Sequence, residues 1–313
     1  MSKLKVIFLG TPKIACNTLT ELSKRDDIEI CCVVSQPDRP AGRGNKLTPP
    51  PVKVLAQELG YDVFQPASIR KDAELINKLK NYVADFFITF AFGQILSQEV
   101  LDIPKIGTVN VHASLLPLYR GANPIARAIA DGQKETGVTT MLTSLGVDEG
   151  DIVLTEKIDI TDNMTTAELG EKISDIAPDI LHRSLLGLAN KEITPTKQNH
   201  ALATFANKFS KEETFIDFNK PAKKLHNLVR ALAPKPAAKT YYNGVLIKLL
   251  ETEPLEETTT KAPGEIIKKD KAGIYVSTGN GVLLIKKLQP ESKKEMPATS
   301  WACGIKNLEK FGE

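Results

Sequence analysis

The sequence predicts an α/β domain on a doubly wound, mostly parallel sheet, followed by a small antiparallel barrel or sheet. Three observations predict it. Through the first half, short apolar runs alternate with helical stretches, the pattern of strands buried on both faces. Beyond a polar stretch, shorter runs are separated by turn signals such as Asn243-Gly244. The length, 313 residues, suits about two domains with separate cores.

Taken in order, residues 6–9 read as the first strand, stopped by Gly10-Thr11-Pro12, and 14–24 as a helix. Residues 28–34 are a β-branched second strand. The Pro- and Gly-rich segment 35–51 reads as a long loop, and loops of that length inside a compact domain are usually functional or disordered. Helices fit 52–59 and 69–79, strands 84–90 and 106–111, a helix 125–130, and strands 136–142 and 152–158. A long helix fits 166–189, with Thr165 and Thr166 as candidate caps. Residues 190–207 are polar and read as a linker between domains at 1–189 and 208–313. The second domain has a helix at 221–232 and strands at 240–242, 245–250, 274–277 and 282–288, with the acidic, Thr-rich stretch 251–261 as an exposed loop. Ligands of doubly wound sheets sit beyond the carboxyl ends of the strands. Function is therefore sought just after Leu9, Val34, Phe90, Val111 and Leu142.

An apolar share of 42% and a charged share of 25% exclude a disordered, collagen-like or coiled-coil chain. The net charge of +3 hides an asymmetry: 22 basic against 25 acidic residues through Thr204, net −3, and 19 against 13 beyond it, net +6. A basic second module suits an anionic partner. No stretch reaches the ~18–20 apolar residues of a membrane span. The start carries an apolar run of only four residues before Gly10, which is no secretory leader. A cytoplasmic protein without a membrane partner is expected. Cys16, Cys31, Cys32 and Cys303 form no Cys-x-x-Cys pair and read as small buried apolar residues in a reducing compartment, so no metal is expected.

Four constellations could carry chemistry. The turn at Gly10 has one glycine where a dinucleotide fold wants three, which disfavours a nicotinamide or flavin cofactor. Asn110 and His112, two apart at a strand end, share a face; an amide beside an imidazole can bind a developing oxyanion and move a proton. The bland alternative is a satisfied core histidine beside a buried amide. Asp148, in Gly146-Val147-Asp148-Glu149-Gly150-Asp151, could orient His112 and hold its charged form, or belong to an acidic surface turn. In the 35–51 loop, Arg39, Arg43 and Lys46 could grip phosphates, or simply be solvated.

Together these stretches resemble the methionyl-tRNA formyltransferases, within the folate-dependent formyltransferase superfamily, over nearly the whole chain. The most specific stretch is Asn110-x-His112-x-Ser114-Leu115-Leu116-Pro117-x-Tyr119-Arg120-Gly121-Ala122-x-Pro124, followed by Thr136-Gly137-Val138-Thr139. Gln36-Pro37-Asp38-Arg39-Pro40-Ala41-Gly42-Arg43-Gly44 is similar to the family's insertion that engages the tRNA acceptor arm. Ser210-Lys211-Glu212-Glu213 resembles the opening of its carboxyl-terminal domain. The loop at Asp148 departs from the usual Gly-Leu-Asp-Thr-Gly-Asp, but the Asp and the Gly-Asp keep their spacing.

The resemblance implies a Rossmann-like formyltransferase domain and an OB-like barrel that binds tRNA. It aligns Asn110, His112 and Asp148 with the catalytic trio. It implies folate contacts from Ser114, Leu115, Leu116 and Pro117 and from Phe90, Phe92, Gly93 and Ile95. tRNA contacts fall on Arg39, Arg43, Lys46, Lys208 and Lys211. The implied reaction moves the formyl group of 10-formyltetrahydrofolate onto the α-amine of initiator methionyl-tRNA, carried out by a monomer without metal. A folate-dependent transferase acting on a small amine and a non-catalytic RNA-binding relative remain the alternatives.

Overall fold

Strand β1 (Leu4–Gly10) is fully buried from Val6 through Leu9, because it runs through the middle of a seven-stranded sheet. The computed structural model describes residues 3–41, 46–303, 305 and 309–312. They fall into two units. The first comprises Met1–Gly121, Glu135–Asp159 and Gly170–Phe205; the second comprises Ala122–Lys134, Ile160–Leu169 and Ala206–Glu313.

In the first unit β1 is followed by α1 (Cys16–Ser23), β2 (Ile28–Val34), β3 (Arg39–Ala41), β4 (Lys46–Thr48), α2 (Pro51–Glu58) and β5 (Val63–Phe64). Then come α3 (Ala73–Asn81), β6 (Phe86–Phe90), α4 (Gln98–Leu101) and β7 (Gly107–His112). Helix α5 (Pro124–Ala130), a part of the second unit, precedes β8 (Glu135–Leu142), β9 (Ile152–Asp159) and α6 (Thr166–Ala189), whose first turn also counts with the second unit. The order across the sheet is β5-β2-β1-β6-β7-β8-β9. The first five strands of that order pair in parallel, as their all-apolar runs require. On one face Ile7, Leu9, Val34 and Phe87 pack with Leu75, Ile76 and Leu79 of α3.

Three expectations need correction. Strands β8 and β9 are antiparallel, and Leu142 pairs with Val109 rather than with His112. Leu142 is therefore not a carboxyl end of the parallel set. Only residues 143–151 separate β8 from β9, too short a connection for a parallel crossover. The 35–51 loop contains the β3–β4 hairpin, hidden in the sequence by Pro40 and by the lack of alternation. Its base is pinned by Lys53 Nζ and Gln65 Nε2 donating to Asp38, which hold that carboxyl below its usual range. Finally, β11 runs on into the supposed 251–261 loop, as described below. Of the cysteines, Cys32 is buried, which pushes its thiol up to about 12, whereas Cys303 is exposed.

The second unit contains α7 (Ala222–Leu232), β10 (Ala238–Tyr242), β11 (Val245–Leu255), β12 (Ile266–Asp270), β13 (Gly273–Ser277), β14 (Val282–Pro290), β15 (Met296–Pro297) and α8 (Ala298–Cys303). Its sheet is antiparallel, ordered β10-β11-β14-β13-β12 with β15 on β14. Asn243 and Gly244 both have positive φ, 48° and 73°, as a two-residue hairpin turn of the primed type demands. A register shift at Glu251 lets β11 continue to Leu255 with Thr252 buried. The exposed face is held by charge, with Lys286 Nζ 2.6 Å from Glu253. Leu225, Val229 and Leu232 of α7 pack on Ile247, Leu249 and Ile285. Among the described residues no helix is long and apolar enough to cross a membrane.

Helix α6 begins at a capping box. The Glu168 N–H donates to Thr165 Oγ1 (3.3 Å), while the Thr165 N–H donates to the Glu168 carboxylate (2.8 Å), which holds that carboxyl below its usual range. Thr165→Ala is expected to cost about 1 kcal/mol, read as a lower urea midpoint at unchanged m-value.

Candidate active site

Asn110 and His112 stand on β7 with their side chains on one face of the sheet. Thr89 lies opposite Asn110 on β6 and donates from Oγ1 to Asn110 Oδ1 at 2.8 Å. That bond turns the amide so that Nδ2 is the outward donor, and Nδ2 makes no hydrogen bond to a described residue. His112 is 5% exposed. Its Nε2 donates to the carbonyl of Tyr119 at 2.9 Å, and its Nδ1 lies 3.5 Å from Asp148 Oδ2. Both partners are acceptors, so the ring satisfies both when it carries two protons. Nε2 anchors the imidazole, and Nδ1 is the nitrogen beside Asp148.

The Asp148 carboxylate is itself placed by the Gly121 N–H, which donates to Oδ2 at 2.7 Å. Three non-glycine residues here have left-handed backbones: Ala91 after β6, Tyr119 and Asp148, at φ 49°, 58° and 52°. Such conformations cost about 1–3 kcal/mol each and persist where the surroundings impose them. Gly150 closes the same loop against β8; a Cβ there would sit 1.6 Å from the Leu142 carbonyl oxygen. This contact explains why the Gly-Asp pair follows the acid at fixed spacing.

The residues expected to contact folate divide into two sets. Phe90 and Phe92 are 2% and 3% exposed, and the Phe92 ring belongs to the core beneath the sheet. What Phe92 presents is its carbonyl, which accepts from Thr11 Oγ1 and Gln36 Nε2. Gly93 and Ile95 are exposed. Ser114 is buried, and its hydroxyl closes the turn by donating to the Leu118 carbonyl. Leu116 is buried too, which leaves Leu115 and Pro117 half-buried at the surface of that turn.

Of the basic candidates, Arg39 donates one nitrogen to Gln36 Oε1 (3.1 Å) and Lys46 is exposed on β4. Lys208 and Lys211 are exposed in the second unit. Arg43 lies outside the described residues. Among the described residues no group of three or more His, Cys, Asp or Glu is placed to hold a metal.

Several participants escape a reading of motifs. Thr89 leaves a trace, as the one polar residue in the run Phe-Phe-Ile-Thr-Phe. The Tyr119 carbonyl and Gly121 N–H are backbone groups and leave none. The 190–207 stretch, expected as a spacer, hydrogen-bonds to the site: Thr204 Oγ1 accepts from the Tyr119 N–H and the Thr204 carbonyl from the Arg120 N–H.

Comparison with known proteins identifies the family. Residues 3–185 match the formyl transferase family and residues 208–306 the formyl transferase carboxyl-terminal domain. A methionyl-tRNA formyltransferase of Clostridium perfringens is 46% identical over 292 residues, 93% of this chain and 94% of that protein. Two solved structures share the fold. HypX from Aquifex aeolicus, in complex with tetrahydrofolic acid, has a TM-score of 0.66 at 18% identity over 96% of this chain and 47% of that one. The sugar 3N-formyl transferase WlaRD has a TM-score of 0.66 at 19% identity over 94% of this chain and all of that one. The chain belongs to the formyl transferase family, among its methionyl-tRNA formyltransferases.

Proposed function

We propose that this chain moves the formyl group of 10-formyltetrahydrofolate onto the α-amine of initiator methionyl-tRNA, for translation initiation, with Asn110, His112 and Asp148 as its catalytic residues. The observation that carries the chemistry is one-sided anchoring. Thr89 holds the Asn110 amide and the Tyr119 carbonyl holds the His112 ring, so that the donors of this reading are Asn110 Nδ2 and His112 Nδ1, the latter 3.5 Å from Asp148 Oδ2. Similarity over 93% of the chain to a methionyl-tRNA formyltransferase supports the choice of amine.

In this reading Asn110 Nδ2 and His112 Nδ1 donate to the formyl oxygen as it becomes anionic, where fixed donors are worth most. The amine nitrogen bonds to the formyl carbon and the bond from that carbon to folate N10 breaks. Asp148, 3.5 Å from His112 Nδ1, relays the proton lost by the amine to N10. Gly93 and Ile95, exposed after β6, and Leu115 and Pro117, half-buried after the neighbouring β7, are the contacts this reading gives to the folate ring system.

The test offers the full chain 10-formyltetrahydrofolate with charged initiator tRNA, a purine-precursor amine or an amino sugar. Only the tRNA should be formylated; preferential use of a small amine overturns the assignment of substrate. The same reading has the chain working as a monomer in the cytoplasm.

Arg39, Arg43, Lys46, Lys208 and Lys211 are the proposed phosphate contacts. Lys46→Ala is expected to raise the KM for tRNA about threefold, leave the KM for folate unchanged and flatten the log-log salt dependence by ~0.7–0.9. An unchanged salt slope removes Lys46 from that surface.

A further inference from the structure

We propose that Gln198 is a positioning residue for Asp148, acting through the backbone of the loop that carries it; this rests on the role given to Asp148 above. Gln198 is 5% exposed. Its Nε2 donates to the carbonyls of Asp148 (2.9 Å) and Gly150 (2.7 Å), bracketing Glu149. Its Oε1 accepts from Arg120 Nε (3.1 Å) and Nη2 (2.7 Å). Two donors and two acceptor positions are all that a side-chain amide has, and here all four are used.

The guanidinium on the other side of this pair is also bonded on each of its three nitrogens. Arg120 is 2% exposed; its Nη1 and Nη2 lie 3.3 Å from His200 Nδ1, and Nη1 lies 3.7 Å from Glu149 Oε1. Arg120 stands between Tyr119, whose carbonyl anchors His112, and Gly121, whose N–H anchors the Asp148 carboxylate. One guanidinium–amide pair therefore ties together the two backbone segments that set the distance between the imidazole and the acid. Asp148 has φ 52°, a conformation that needs an imposed constraint. The Gln198 bonds to the carbonyls of residues 148 and 150 supply one. A cation as deeply buried as Arg120 is costly to desolvate and is tolerated where its hydrogen bonds are complete. Gln198 helps complete them from a stretch outside the strands and α-helices, shortly before Thr204, whose carbonyl accepts from the Arg120 N–H.

The test uses Gln198→Glu and Gln198→Ala in the full chain, with whichever amine the wild-type chain formylates, so failure of the tRNA reading leaves this test intact. Gln198→Glu keeps the size and the acceptor for Arg120 and removes both donors. Each variant is expected to lower kcat about 10–100-fold, the scale of a misplaced catalytic group, with the KM of both substrates within about twofold. In an Asp148→Ala background, Gln198→Glu should change kcat by less than about threefold, because the residue it positions is gone. Wild-type kcat in Gln198→Glu overturns the proposal. So does a loss that repeats in full in the Asp148→Ala background, or one confined to KM or to thermal stability.

Discussion

Replacing His112 with alanine is expected to lower kcat about 10³-fold, within the range for a lost acid–base group, while tRNA and folate still bind. Two effects combine. The donor at Nδ1 disappears from beside the developing oxyanion, and the Tyr119 carbonyl loses the Nε2–H that it accepts. The second effect is structural: a lost intramolecular hydrogen bond costs about 0.5–1.5 kcal/mol, and Tyr119 already holds a left-handed backbone. His112→Gln separates the two, since an amide can still donate to that carbonyl but cannot carry the proton. Single-turnover rates with folate and charged tRNA, beside urea titrations, read both terms. The expected pattern is two slow enzymes, of which only the alanine variant is destabilised. A rate within about tenfold of wild type in either variant places the acid–base work elsewhere.

Asp148→Asn is expected to slow turnover about 10²-fold with little change in stability. The amide oxygen can keep the Gly121 N–H, now at 2.7 Å from Oδ2, and Asn tolerates a left-handed backbone as well as Asp does. What is lost is the negative charge 3.5 Å from His112 Nδ1. The group that relays the amine proton to N10 in this reading is then gone. The KM of both substrates should stay near wild type, because the proposed binding surfaces lie at the folate turn and the basic residues. Wild-type turnover in this variant reduces Asp148 to a loop anchor.

Much of the site was legible because its chemistry is concentrated in side chains at strand ends. Asn110 and His112 show up by spacing alone, since alternation puts residues two apart on one face. Asp148 is distinguished by the glycines around it, and Gly150 is required by the Leu142 carbonyl pressed against it. The proposed folate contacts show the limit of the same method. Phe90 and Phe92 enter the expected contacts through the resemblance alone; Phe90 ends β6, Phe92 follows it outside the strand, and both side chains are buried. The β3–β4 hairpin was illegible for the opposite reason: its strands are short and polar, and Pro40 interrupts the pattern.

Periodicity and composition by themselves determined the alternation of strands and helices, the parallel centre of the sheet, the antiparallel character of the second module, and which polar side chains had no business in a core. Tertiary structure alone decided the rest. It set β8 and β9 antiparallel, brought residue 148 back to residue 112, and supplied the Tyr119 carbonyl and the Gly121 N–H that aim the imidazole and the acid. It also drew Gln198 and Thr204 out of an apparent spacer and onto the site. The physical reason is one of range. Side-chain pattern encodes which face of its own element a residue occupies, whereas backbone hydrogen bonds between segments distant in the chain depend on folded geometry, and every residue offers the same carbonyl until the fold selects one.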